Sequence, residues 1–459
     1  MTRTNPATEE SLSSVASHDD DDVEAALATA SETFRTWRDT DLRERRRLLE
    51  ATADVLRDRT DEFARLATKE MGKPIDGARA EVEKCAWVCD HYAERAPEYL
   101  ADEPVGTETE AESFVATEPL GPVLAVMPWN YPFWQVFRFI APNLVAGNVG
   151  ILKHASNVPE CALAIESILR EAGFPEDVFQ TLVVDSDRVD AMITDDRIRA
   201  VTLTGSEPAG RAVGEAAGKE LKPSVLELGG SDPFVVLDDA DIEAAAAVGA
   251  RARTLNSGQS CIAAKRFIVH ADVYDAFLDS FVAEMESLTV GDPTDPDTDI
   301  GPQARADLVD DLHEQVTATV EAGGTVETGG EPLDRTGYFY PPTVVTDVPP
   351  DAPLASEEVF GPAAAVFRVE SEAEAVALAN DSALGLAGSV WTEDLRRGQA
   401  VARRIESGAV FVNELAKSDP RLPFGGIKNS GYGRELAEQG LKAFCNEKTV
   451  WVQDTADQP

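Results

Sequence analysis

From Gly121 onward the chain repeats one pattern: a short apolar run, a loop, then a helical stretch. Val123-Leu124-Ala125-Val126, Gly150-Ile151-Leu152 and Arg199-Ala200-Val201-Thr202-Leu203-Thr204 read as buried strands, and 159–173 and 207–217 as helices. Short apolar runs alternating with helices are the signature of a parallel sheet, because a chain returns to the next parallel strand through a helical crossover. The pattern resumes after Gly230, with Phe234-Val235-Val236, a helix over 242–255, a strand over 266–269, helices over 273–288 and 372–380, and a strand over 388–391. The fold class is therefore α/β. At 459 residues the chain is too long for one core, and two or three domains are expected.

Before Gly121 the reading is mostly helical. Asp19 to Asp22 form an acidic run suited to capping a helix over 23–37, and helices are expected over 42–69 and 78–99. Residues 102–117 are polar and alternating and read as a hairpin. The tail Thr449-Val450-Trp451-Val452 is a strand suited to pairing with another element or another subunit.

Charge narrows the partners. The 83 acidic residues against 41 Lys and Arg give a net charge of −42, so the surface repels phosphate and nucleic acid is excluded as a partner. Only eleven of the basic residues are Lys. An excess of this size fits a protein adapted to molar salt, where self-repulsion is screened. No apolar run is long enough to cross a bilayer, and the polar stretch Met1 to Glu10 has no signal-peptide core, so a cytoplasmic enzyme without a membrane partner is expected. The five cysteines suggest no disulfide framework, and Cys85 and Cys89, one turn apart, lack the further ligands a metal site needs.

The chemistry centres on two residues. Cys261 ends the run Asn256-Ser257-Gly258-Gln259-Ser260, whose small residues leave a thiol approachable. Glu227 precedes Leu228-Gly229-Gly230, where glycines allow a carboxylate to move. A thiol can form a thioester and a carboxylate can activate the water that hydrolyses it. Around them lie loops at strand ends. Pro128-Trp129-Asn130-Tyr131-Pro132 presents a rigid amide suited to a developing oxyanion. Lys153 ends a strand where open α/β sheets bind nucleotides. Thr204-Gly205-Ser206 opens a helix whose amides favour phosphate, with Ser206 able to cap it. Glu358, in Glu357-Glu358-Val359-Phe360-Gly361-Pro362, is placed to hold ribose hydroxyls.

Taken in order, these segments together with Pro423 to Gly431 resemble the aldehyde dehydrogenase superfamily. The runs Glu70-Met71-Gly72-Lys73-Pro74 and Ala78 to Val82, and Lys153-His154, resemble its bacterial succinate-semialdehyde dehydrogenase branch. The resemblance implies a Rossmann-like cofactor domain over 1–101 and 120–229 and an α/β catalytic domain over 230–429. It adds a small β oligomerisation element from 102–119 and 430–459, and a homodimer or homotetramer. It implies NAD or NADP as cofactor, Cys261 as nucleophile, Glu227 as general base, and Asn130 with the Cys261 N–H as oxyanion donors. Trp129, Lys153, Ser156, Thr204, Gly205, Ser206, Leu228, Glu358 and Phe360 fall at cofactor positions. Ser156 stands where NAD-preferring members often carry Glu, so NADP should be accepted. Succinate semialdehyde bears a carboxylate, for which Arg138, Ser418 and Arg421 are the candidate contacts. Leu255, six residues before the nucleophile, departs from semialdehyde enzymes that have Arg there, which leaves uncharged aliphatic aldehydes as the alternative substrates.

Overall fold

A computed structural model describes residues 3–107 and 112–453. Its first sheet has five parallel strands in the spatial order Ser224–Glu227, Ala200–Thr204, Pro122–Met127, Val149–His154 and Phe179–Thr181. The chain starts at the central strand Pro122–Met127, winds to one side, then crosses to the other. Open sheets of this kind bind ligands beyond the carboxyl ends of their strands at such a reversal. The sixth strand, Gly431–Tyr432, pairs antiparallel with Ser224–Glu227. It comes from the segment assigned above to the oligomerisation element, so part of that segment completes the first sheet.

The second sheet has seven strands, with Ala363–Val369, Ala264–His270, Asp232–Val236 and Ser389–Trp391 at its centre. Ala363–Val369 was not legible as a strand because its Ala-Ala-Ala start has high helix propensity. Burial on both faces overrides that preference: all but two of its seven residues are buried. A third sheet pairs Cys445–Val452 antiparallel with Glu112–Pro119 over eight positions, and Glu103–Pro104 lies on the far side of the latter. The tail strand thus pairs within its own chain. Positions 108–111 of the expected hairpin lie outside the described residues.

Helices cover the first sheet. Trp134–Ala146 is buried along its whole length, and Leu42–Asp58 packs along Ile75–Tyr99. Asp19 caps the helix Asp20–Trp37 through the amides of Asp21 and Asp22, as the acidic run suggested. The single helix expected over 42–69 is two, Leu42–Asp58 and Thr60–Met71. Arg59 between them leaves helical geometry (φ −118°, ψ 22°), and the Thr60 hydroxyl ties the break to the carbonyls of Leu56 and Arg57. Among the described residues no helix is long and apolar enough to cross a membrane.

Candidate active site

Four loops leave the carboxyl ends of adjacent parallel strands and converge. They carry Pro128 to Asn130, Ala155, Gly205 with Ser206, and Leu228 with Gly229. With Lys153, Thr204, Cys261, Glu358 and Phe360 they line one cavity of about 390 Å³. Every cofactor position named from the sequence lines it except Ser156, which is exposed next to Ala155. Trp129 and Phe360 meet edge to face at 5.7 Å, and the Arg305 guanidinium lies 5.6 Å from the Trp129 ring.

The cavity has the features a dinucleotide needs. The helix Glu207–Lys219 points its N-terminus at it, and Ser206 occupies the capping position without making a side-chain capping bond. The first-turn amides and the hydroxyl are therefore left to a ligand, where the sequence had suggested a Ser206 cap. Burial pushes the Lys153 ammonium below its usual range. Among the described residues it has no ion-pair partner, which suits a group that meets ribose or phosphate oxygens. Gly229 is a cradle of the same kind: a Cβ there would come within 2.3 Å of the Glu358 carboxylate. Glu358 accepts a hydrogen bond from the Gly230 N–H at 3.0 Å, and Lys265 Nζ stands 4.0 Å from it.

The loop that leads to Cys261 is fixed by backbone geometry. Asn256, Ser257 and Gly258 have φ of +58°, +56° and +75°, three left-handed residues in succession. A Cβ on Gly258 would lie 2.2 Å from the carbonyl carbon of Gly361, so only glycine fits. The loop is locked to the Asn130 segment. Asn130 Nδ2 donates to the Gln259 carbonyl at 3.1 Å, and Asn256 Nδ2 donates to the Asn130 carbonyl at 2.8 Å. Lys265, fully buried, donates to the carbonyls of Ser260 (3.0 Å) and Cys261 (2.7 Å). Burial pushes the Cys261 thiol up to about 12, while Arg138 and Lys265 pull it down.

Glu227 does not line this cavity. It ends its strand immediately before Leu228 and is almost fully buried, 2% exposed. Its carboxylate lies against Gly425, where a Cβ would come within 2.6 Å of Oε1. Burial raises it well above the usual carboxylate range, Glu435 raises it further, and Arg138 and Arg434 oppose the shift.

The proposed substrate residues separate. Arg138 is buried, ion-paired with Glu435, hydrogen-bonded to the Thr204 hydroxyl at 3.2 Å and stacked 4.9 Å from the Phe424 ring. Arg421 is exposed and forms a two-pronged ion pair with Asp419 (2.9 and 2.6 Å). Ser418 is buried and accepts a hydrogen bond from Lys84 at 2.7 Å. Sequence reasoning missed Lys84, Lys265, Arg434 and Glu435. Lys265 was detectable, since Lys265-Arg266 interrupts an apolar strand run; the others sit in segments with no distinguishing composition. Among the described residues no cluster of His, Cys, Asp and Glu could hold a metal.

A strand-end cavity fitted to a dinucleotide, with a thiol on a locked loop and a buried carboxylate behind it, defines a thiol-dependent oxidoreductase. The model of the aldehyde dehydrogenase family matches residues 1–450, and the chain belongs to that family. It is 53% identical over 448 residues to a probable succinate-semialdehyde dehydrogenase [NADP(+)] of Synechocystis sp., covering 98% of each chain. It is 51% identical over 450 residues to succinate-semialdehyde dehydrogenase [NADP(+)] 1 of Mycobacterium tuberculosis, again covering 98% of each. The structure is also similar to the succinic semialdehyde dehydrogenase of Streptococcus pyogenes in complex with NADP+ (TM-score 0.96, 38% identity, 99% and 100% of the two chains).

Proposed function

We propose that this protein oxidises succinate semialdehyde to succinate with NADP, and accepts NAD less well. The observation that carries the chemistry is the convergence of Cys261, Asn130 and Lys153 on one cavity, with Glu227 directly behind its wall. The substrate and cofactor assignments draw on full-length relatives that bear those names.

Cys261, as thiolate, adds to the aldehyde carbon and forms a thiohemiacetal. One Asn130 amide hydrogen already holds the Gln259 carbonyl, which orients the other, together with the Cys261 N–H, toward the new oxyanion. When bound, the nicotinamide supplies the hydride acceptor that converts this adduct to a thioester. Lys153 and the free first-turn amides of the Glu207–Lys219 helix would hold the adenosine ribose and pyrophosphate, and Glu358 would hold the second ribose. Glu227 then takes a proton from water as its oxygen attacks the thioester, releasing the acid and the thiol. Burial, with Glu435 beside it, raises the proton affinity of this carboxylate.

Ser156 is the residue that favours NADP, because it brings no charge against a 2′-phosphate. We assign cofactor binding to 1–101 and 120–229, catalysis to 230–429, and homo-oligomer assembly to 102–119 and 430–459. A cytoplasmic setting fits the acidic surface.

The assay is cofactor reduction in molar potassium chloride with succinate semialdehyde or butanal, each with NAD and NADP. Preference for succinate semialdehyde with NADP is expected. Equal or faster turnover of butanal would make the protein a general aliphatic aldehyde dehydrogenase. That second reading draws support from the ion pairing of Arg138 and Arg421, which leaves neither guanidinium free for a substrate carboxylate.

A further inference from the structure

The strand Ala264–His270 carries two adjacent cations, Lys265 and Arg266, which its pleat sends to opposite faces. Arg266 donates to the carbonyls of Ser231 (3.0 Å), Leu378 (2.7 Å) and Ala379 (2.9 Å). Lys265 faces the thiol loop. Its side chain is wholly enclosed, and its ammonium donates to the carbonyls of Ser260 at 3.0 Å and Cys261 at 2.7 Å. Among the described residues Glu358 is the one carboxylate within ion-pair distance of it. At 4.0 Å Glu358 is a loose partner, and its Oε1 already accepts from the Gly230 N–H at 3.0 Å. A neutral donor could satisfy two carbonyls. A lysine instead brings a full charge into a site without water access, at a desolvation cost that carbonyl dipoles and one loose carboxylate offset only in part.

We propose that Lys265 is the positioning residue of Cys261: it orients the peptide whose N–H meets the oxyanion, and it supplies the buried positive charge against which the thiolate forms. This rests on the reading of Cys261 as nucleophile and names the residue that acts through it. The Ser260 carbonyl and the Cys261 N–H belong to one planar trans peptide, so a donor that holds the carbonyl also fixes the N–H, pointing the opposite way. The same bond polarises the amide and makes its N–H a stronger donor. The second bond, to the Cys261 carbonyl, holds the peptide that follows. That carbonyl also lies against Gly230, where a Cβ would come within 2.5 Å of it. Cys261 is thus gripped through both of its peptides. The charges around the thiol agree: burial raises it, Arg138 and Lys265 draw it down, and Glu358 and Asp232 oppose them. Burial lowers Lys265 itself, Glu358, Asp232 and Cys261 favour its charged form, and Arg253 opposes them.

The test compares wild type with Lys265→Met and Lys265→Arg. Iodoacetamide is uncharged, so its rate with Cys261, read by mass at that residue, follows the thiolate population. In Lys265→Met this rate is expected to fall about tenfold at each pH from about 7 to 9, the effect of about one pKa unit. Lys265→Arg, which keeps the charge, should recover most of it. With the aldehyde that the wild type turns over faster, kcat is expected to fall about 10- to 100-fold in Lys265→Met with little change in KM, because an oxyanion donor acts in the transition state. A wild-type alkylation rate in Lys265→Met would overturn the proposal, as would a wild-type kcat. Failure of the nucleophile reading is distinguishable: it would show as a Cys261→Ala variant that still oxidises aldehyde, and alkylation at Cys261 would then still decide whether Lys265 tunes the thiol. Should Lys265→Met not fold, Lys265→Gln, which replaces the charge with a neutral donor, carries the alkylation comparison.

Discussion

Cys261 begins as a poor nucleophile. Its thiol is held at about 12 by burial, so the reactive thiolate is a small fraction at neutral pH in the cofactor-free protein. The deprotonated form reacts, and below the pKa its population grows about tenfold per pH unit. Alkylation by iodoacetamide should therefore accelerate about tenfold per unit from pH 7 to 9; a plateau by pH 8 would show a thiol already activated. The carboxylate makes a separate prediction. Glu227→Gln should lower turnover about 10²- to 10⁴-fold and leave an acyl-enzyme visible by intact mass. Normal turnover would remove Glu227 as the base. At Ser156, substitution by Glu should shift the kcat/KM ratio toward NAD by about two orders of magnitude, measured with both cofactors.

One element governs the site more than any single group: the loop of Asn256, Ser257 and Gly258, with its three left-handed residues. Gly258→Ala would force a Cβ into the Gly361 carbonyl. It should cost more than about 1–3 kcal/mol in stability, read from denaturant unfolding, and lower activity further by displacing Cys261. Wild-type stability would mean that the loop relaxes. This element also shows what was legible in the sequence. Gly258 and Cys261 stood out because chemistry and turn geometry restrict the residues allowed there. The strands Pro122–Met127 and Ala200–Thr204 stood out because their apolar runs are bounded by turns. Ser224–Glu227 and Ala363–Val369 did not, being short or alanine-rich, and only the sheets that bury them reveal their state. Lys84 was hidden for a related reason. A lysine on a helix reads as solvated, and it takes the packing of Trp134 and Ser418, residues distant in sequence, to enclose it.

At the scale of the whole molecule, charge and chain order matter most. With −42 charges on 459 residues, self-repulsion in dilute buffer opposes the compact state, and it weakens as the Debye length falls to ~3 Å near 1 M salt. The melting temperature should rise with potassium chloride, measured from low to molar concentration; a flat profile would refute adaptation to salt. Chain order acts on the proposed base. Glu227 is laid down in the first half of the chain, yet Gly425, Arg434 and Glu435, which wall and charge its pocket, follow about two hundred residues later. At ~5–20 residues per second a ribosome needs about 10–40 seconds to cross that gap. For most of that interval the growing polypeptide carries its thiol but not the chamber that tunes its proposed base, so on that reading hydrolytic competence arrives only as synthesis ends, and a prematurely terminated product that stops short of Gly425 is born without it.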